Sequence, residues 1–204
     1  MSGDTATHGD VSGGGLTAAP DVLPESGLIV RIAEREEAAF RTVIAQHAPL
    51  LHRIAWRMVG EAQESEDIVQ EAMLRLWDHA PRLAAAPGGV RLAPWLKRVT
   101  VNLAIDRLRV ARRVSGEEVP ERADDSPLAD SQIEADEQTN AARTLIAELP
   151  ERQRAAIVLT YYEELPNIEA AEALDMNIKA FESLLHRARI ALRKAFEERE
   201  GSDR

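Results

Sequence analysis

Apolar residues return at steps of three and four along most of this chain, the period of helices that bury one face. Ile29, Ile32 and Ala33 form a short stripe and predict a helix beginning near Ser26 or Gly27. Phe40, Val43, Ile44, Leu50, Leu51, Ile54, Ala55 and Met58 carry the pattern over 36–59, where Pro49 predicts a turn or a kink. The segment E-S-E-D-I-V-Q-E-A-M-L-R-L-W-D at 64–78 opens with acids, which suit the positive end of a helix dipole. It then repeats Ile68, Val69, Ala72, Met73, Leu76 and Trp77. From Pro81 to Gly89 the pattern breaks, and Pro94 stands where a following helix would start. These helices predict a compact first domain over 27–113.

Residues 115–137 then interrupt the periodicity with nine acids against one Arg, which predicts a flexible acidic linker over 114–137. Helical spacing resumes at Ala141 and lasts to Phe196. Leu145, Ile146 and Leu149 end one helix at Pro150, and Ala155, Val158, Leu159 and Tyr162 share one side of the next, over 152–163. Ile168, Ala171 and Leu174 precede D-M-N at 175–177, and Ile178, Phe181, Leu185, Ala188 and Leu192 follow it. Two apolar stripes either side of a three-residue break describe two helices packed at an angle, and Asn177 is a sound N-cap for the second. The expected fold is therefore all-α, two small helical domains joined by a flexible acidic linker, the second (138–197) a helix-turn-helix. Residues 1–26, with five Gly and both Pro20 and Pro24, read as a disordered tail, and 198–204 as a flexible C-terminus.

Composition agrees with helices. Three Phe, two Tyr and three Trp in 204 residues leave Ala, Leu, Ile and Val to build the cores. The absence of Cys excludes disulfides and thiolate chemistry and suits a reducing cytoplasm. No apolar run approaches the roughly 20 residues of a membrane span, and no basic-then-apolar leader is present, so a cytoplasmic protein with no membrane insertion of its own is expected. Gly-rich phosphate loops, H-E-x-x-H and nucleophile elbows are missing. His8, His47, His52, His79 and His186 are scattered, so neither an enzyme nor a cofactor is expected.

Charge changes the picture most. The formal net charge is -10, yet W-L-K-R-V-T-V-N-L-A-I-D-R-L-R-V-A-R-R at 95–113 holds six Lys/Arg and one Asp. An acidic chain that concentrates cations on one helix presents that helix to a polyanion. On a helical wheel Trp95, Arg98, Asn102, Arg109 and Arg113 fall within about 60°, with Val99, Leu103 and Val110 on a core side and Val101, Ile105 and Leu108 on a further face. Cations beside an amide and an indole suit an unpaired nucleic-acid strand. Trp95, just after Pro94, reads as a core or boundary residue more readily than as a stacking platform, and Asp106 as a partner for a neighbouring Arg.

The last helix offers a second cationic face. In a DNA-binding helix-turn-helix, Lys179, Glu182, Ser183, His186 and Arg187 would reach base edges, with Arg189, Arg193 and Lys194 on phosphates. The alternative is a trihelical bundle whose final helix is basic near its C-terminus, where cations suit the dipole. Glu64, Glu66, Asp67, Gln70 and Glu71 make an acidic face that is either a protein-docking surface or ordinary solvated acids.

Taken together, these segments resemble the extracytoplasmic-function (ECF) group of bacterial RNA polymerase sigma factors, over about 28–113 and 138–196. E-D-I-V-Q-E-A-M-L-R-L-W at 66–77 is similar to region 2.2, residues 95–113 to the promoter-contacting end of region 2. L-P-E-R-Q-R at 149–154 with E-A-A-E-A-L-D-M-N at 169–177 is similar to region 4. The resemblance implies core RNA polymerase and promoter DNA as partners. Asp67, Gln70 and Glu71 would face the coiled coil of the polymerase clamp. The loop at 79–92 with Arg98, Asn102, Arg109, Arg112 and Arg113 would meet the melting −10 element, Asn102 on the non-template strand. The 178–194 helix would read the −35 duplex. An anti-sigma factor is the usual restraint in the family, and the linker would run through the enzyme. One departure concerns the region 4 turn, where G-I-S is frequent in the family. This chain has D-M-N, which sets Asp175 near the expected phosphates. Two rival readings keep the helices and change the function: a stand-alone helix-turn-helix regulator, and an adaptor that binds no DNA.

Overall fold

A computed structural model describes residues 25–115 and 142–202. Residues 1–24, 116–141 and 203–204, which include nearly all of the expected tail and linker, lie outside the described residues. All regular structure among the described residues is helical. The first half comprises α1 (Glu25–Ala33), α2 (Glu37–Val59), α3 (Ala62–Ala84) and α4 (Leu92–Ser115). The second comprises α5 (142–148), α6 (Glu151–Ile157) running into a π-helical turn (Val158–Tyr162), α7 (Asn167–Ala173) and α8 (Ile178–Ser202).

The helix ends follow from local chemistry. Gly60 closes α2 at φ 77°, donating its N–H to the Trp56 carbonyl at 2.8 Å, a left-handed cap that costs glycine no Cβ clash. The next residue, Glu61, turns its carboxylate back to accept from the N–H groups of Gln63 and Glu64, so α3 starts ahead of the acids at 64. Three prolines among the described residues lie within helices. Pro49 lies inside α2, where the Ala45 carbonyl it leaves unbonded is on the exposed side of the helix, within reach of water. Pro81 lies in the closing turns of α3, and the helix continues to Ala84. Pro94 falls in the first turn of α4 and not at its first residue, a position where its missing N–H is still tolerated. α8 extends to Ser202, beyond the boundary expected at 197.

Two clusters make the core. One, formed by Leu28, Ile29, Ile32, Val43, Leu51, Leu76, Leu92 and Leu96, lies wholly among α1–α4. The other is shared: Ile54, Met58, Ile68, Val101 and Ile105 of the first half are continuous with Ala155, Ile157, Leu159, Ala170, Phe181 and Leu185 of the second. α6 and α7 pack against α4, and the π-helical turn packs against α2. The sequence led to two separate cores on a tether. The second apolar face of α4, Val101 with Ile105 and the partly buried Leu108, is what binds the halves: its burial removes apolar area from water at ~25 cal/mol per Å². Small residues at 155, 156, 170, 171 and 173 are all buried and let the backbones approach closely.

Polar contacts reinforce this seam. The Glu163 carboxylate, 2 % exposed, is held by Arg57 and, at 3.2 Å, by Arg53, both from α2. The Arg57 guanidinium also lies 4.6 Å from the centre of the Tyr162 ring. The Arg154 guanidinium donates to the carbonyls of Met58 (2.6 Å) and Ala147, at the ends of α2 and α5. Helix C-termini leave carbonyls unsatisfied and carry partial negative charge, which is where a buried cation gains most.

Candidate nucleic-acid and polymerase interfaces

α4 places its expected strand-binding side chains along one edge, with different surroundings. Asn102, Arg109, Arg112 and Arg113 are exposed, and Arg98 is half-buried. Arg109 lies 3.8 Å from Asp106, the neighbour expected to orient it. Trp95 is partly buried against the first core cluster, its ring 6.4 Å from that of His79, so it is a boundary residue and not a free platform. Val110, expected on the core side, is 54 % exposed because α4 has run past the helices that cover Leu103. Two of the arginines face the other half: Arg98 pairs with Asp175 at 3.4 Å and Arg112 with Glu151 at 3.1 Å. Sequence reasoning missed their companions. Lys97 pairs with Glu169 at 3.2 Å, and Arg91, just before α4, with Glu172 at 3.1 Å. No sequence signal marks these partners, which lie 72 and 81 residues away.

The helix-turn-helix forms from the residues expected. Leu174 closes α7 by donating to Ala170 and Ala171, and Asp175 takes a left-handed φ of 53°. The Arg152 guanidinium donates to the Leu174 carbonyl at 2.8 Å and pins the turn. Asn177 Oδ1 accepts from the Ala180 N–H at 2.9 Å, the N-cap of α8. Phe181, Leu184, Leu185 and Ala188 are buried, which leaves Lys179, Glu182, Ser183, His186, Arg187, Arg189, Arg193 and Lys194 exposed. Ile168, expected in the apolar stripe, is 63 % exposed, and Ala170, Ala173 and Leu184 fill the packing in its place. On the exposed face Arg187 reaches back to the Ser183 carbonyl (3.4 Å), Arg189 lies over Tyr161 (5.4 Å), and Lys194 pairs with Glu198 (3.5 Å).

α3 carries the acidic face. Gln70 is exposed, Asp67 accepts from Gln63 at 3.2 Å, and Glu71 pairs with Arg75 at 2.9 Å, an i,i+4 contact that answers the like-charge pair. Leu74, 58 % exposed, stands among them. The described residues hold no group of three or more potential metal-ligating side chains, and no helix among them is long and apolar enough to cross a membrane.

Comparison with known proteins gives this arrangement its meaning. Residues 43–114 match the model of Sigma-70 region 2, and residues 139–192 match that of Sigma-70, region 4. ECF RNA polymerase sigma factor SigL of Mycobacterium tuberculosis is 34% identical over 174 residues, covering 81% of this chain and 93% of that protein. The chain belongs to the ECF family of RNA polymerase sigma factors.

ECF RNA polymerase sigma factor SigW of Bacillus subtilis is a further relative, 29% identical over 177 residues that cover 81% of this chain and 93% of SigW. Among solved structures, CnrH in complex with the cytosolic domain of CnrY superposes with a TM-score of 0.60 at 22% identity, over 85% of this chain and 97% of CnrH. The sigma factor RpoE of Bartonella quintana, in complex with the anti-sigma factor NepR, gives 0.58 at 21%, over 78% and 96%. These two likenesses concern the fold. Region 2 of this sigma factor thus runs from within α2 through α4, and region 4 from just before α5 into α8. As a sigma factor the chain directs RNA polymerase to promoters, a role in which the polymerase and not the sigma subunit makes bonds.

Proposed function

We propose that this sigma factor recognises its promoters through two separate surfaces and docks on polymerase through a third. α8 reads the −35 duplex: Lys179, Glu182, Ser183, His186 and Arg187 meet base edges, while Arg189, Arg193 and Lys194 grip phosphates. The α4 edge, Arg98, Asn102, Arg109, Arg112 and Arg113, holds the −10 strand as it unpairs, Asn102 on the non-template strand. Extruding a base costs a few kcal/mol and is easier once the step is unpaired, so recognition and melting proceed together. Asp67, Gln70 and Glu71, around exposed Leu74, bind core polymerase. The division into a region 2 domain (27–113), an acidic linker (114–137) and a region 4 domain (138–197) lets each surface act on its own stretch of DNA. An anti-sigma factor restrains the free chain. The open apolar hollow of 370 Å³ lined by Ile146, Ile157, Tyr161, Tyr162, Arg189 and Leu192 is of a size to take one face of an amphipathic segment. All of this takes place in the cytoplasm, where polymerase is found.

The observation that carries the reading is the capped turn at Asn177 followed by a helix whose buried and cationic faces are cleanly separated. Transcription in vitro with purified core polymerase on a genomic library tests it, because aligned start sites reveal both promoter elements. Lys179→Ala with Arg187→Ala is expected to erase the −35 preference and leave the −10 preference. Equal loss at both elements would refute the division of labour.

A further inference from the structure

Resting on the reading of α4 as the strand-binding edge, we propose that the helix-turn-helix half is the first occupant of that edge: Glu169, Glu172 and Asp175 stand in for DNA phosphates and keep the free chain closed. The three acids step by three along α7 and its following turn, the spacing that brings side chains to one side of a helix. Each meets one cation of the first half: Glu169 meets Lys97 at 3.2 Å, Glu172 meets Arg91 at 3.1 Å, and Asp175 meets Arg98 at 3.4 Å. Glu151 of α6 adds a fourth contact, 3.1 Å from Arg112. Of these cations Arg98 and Arg112 belong to the strand-binding edge, while Lys97 and Arg91 flank it; a carboxylate on Arg98 or Arg112 takes the place that a strand phosphate would take, and the two cannot be seated together. Asp175, the residue that sets this turn apart from the common G-I-S form, is therefore not misplaced: it points its charge at region 2.

Closure and strand binding compete. The apparent affinity of the free chain for a single strand is its intrinsic affinity multiplied by the fraction that is open. The four pairs are partly solvent-exposed and individually weak, so they bias the equilibrium without locking it, while the buried Glu163 pairing and the shared apolar cluster supply the remainder. The charge-based part of closure is also sensitive to salt.

The test uses the full chain and a fluorescein-labelled single-stranded DNA of random sequence, so that no promoter need be known. Glu169→Gln, Glu172→Gln and Asp175→Asn together are expected to tighten binding about tenfold, equivalent to ~1.4 kcal/mol spread over three pairs, two of them exposed and the third on the buried Lys97. A charge-matched control, Glu34→Gln, Asp78→Asn and Glu197→Gln, changes three exposed acids elsewhere and is expected to give no more than a twofold gain of general attraction. Equal gains in the two triple variants would overturn the proposal. Because the chain has no Cys, Thr42→Cys and Arg199→Cys accept a donor and an acceptor dye at exposed sites on α2 and α8. Added strand is expected to change energy transfer as the halves separate, and saturating binding with unchanged transfer would also overturn it. Adding Arg98→Ala to the triple variant separates this inference from the reading beneath it. Loss of the gain supports both. A gain that survives shows that strand binds elsewhere, which removes the α4 reading and this inference with it. A strand site that needs Arg98 but is indifferent to the three acids removes the inference alone.

Discussion

Replacing Arg154 by Ala probes the joint between the halves most sharply, because opposing effects of similar size meet there. The side chain is 6 % exposed, and its two terminal nitrogens donate to the carbonyls of Met58 and Ala147. Hydrogen bonds to a charged group contribute about 1.5–3 kcal/mol each. Against them, burial pushes the guanidinium down to about 10 from its usual range above 12, with Glu151 raising it and Arg112 lowering it further. At ~1.4 kcal/mol per pH unit, that desolvation returns about 3 kcal/mol when the charge is removed. The aliphatic stem adds about 2 kcal/mol of lost apolar burial at ~0.8 kcal/mol per methylene. The balance leaves Arg154→Ala destabilised by about 2–5 kcal/mol, a fall in Tm of roughly 6–15 °C for a chain of this size. Arg154→Met keeps most of the stem and is expected to lose about 2 kcal/mol less than Ala. Thermal unfolding followed by far-ultraviolet circular dichroism measures both. An Ala variant that melts within about 2 °C of the parent, or a Met variant no better than Ala, would refute the reasoning that the cation is held by helix-end carbonyls and packed along its stem.

Asp67→Lys with Glu71→Lys is expected to abolish binding to core polymerase in a pull-down while leaving the Tm within about 2 °C, since both are surface residues; unchanged binding removes them from the docking face. Neutralising Arg98, Arg109 and Arg113 is expected to weaken open complexes and to lower the salt slope by about 0.7 per lost contact to a single strand, with −35 duplex binding intact. Glu163→Gln leaves Arg53 and Arg57 without their shared carboxylate and is expected to cost about 1–2 kcal/mol in denaturant unfolding, the lower part of the range for charged hydrogen bonds because both arginines reach solvent. Hydrogen bonding from Arg31 holds the Glu36 carboxyl below the ordinary carboxylate range. Its contribution is present above the unfolded value near pH 4.3 and is lost as the pH falls through the lower folded value, so Glu36→Gln is expected to flatten the acid limb of the stability curve there.

Helices were the most legible part of the sequence, because steps of three and four survive whatever the helix packs against. So were the Asn177 cap and the turn before it, whose chemistry is local. Periodicity gave candidates for the buried face but not its direction, and so Val110 and Ile168 were placed inside while both are exposed. Pro49 predicts a turn or a kink because proline removes a hydrogen bond, and the helix runs through it to Val59. The surface position of the Ala45 carbonyl, which makes the loss tolerable, is a property of the packed helix. The seam between the halves left no mark at all. Arg53 and Glu163 are 110 residues apart, and each alone resembles a solvated charge until the other helix arrives. Arg154 was hidden for a different reason: its acceptors are backbone carbonyls, which every residue carries. The exposed face of α8 was legible because turn and cap fix the register, whereas Lys97 and Arg91 find their partners only on α7.

The measurement nearest the centre of this account is run-off transcription with purified core polymerase, with and without this chain, on templates drawn from a genomic library. Discrete transcripts that appear only when the chain is added, and that vanish with Asp67→Lys and Glu71→Lys, are the predicted result. The same transcripts from core enzyme alone, or none with the chain present, would contradict it.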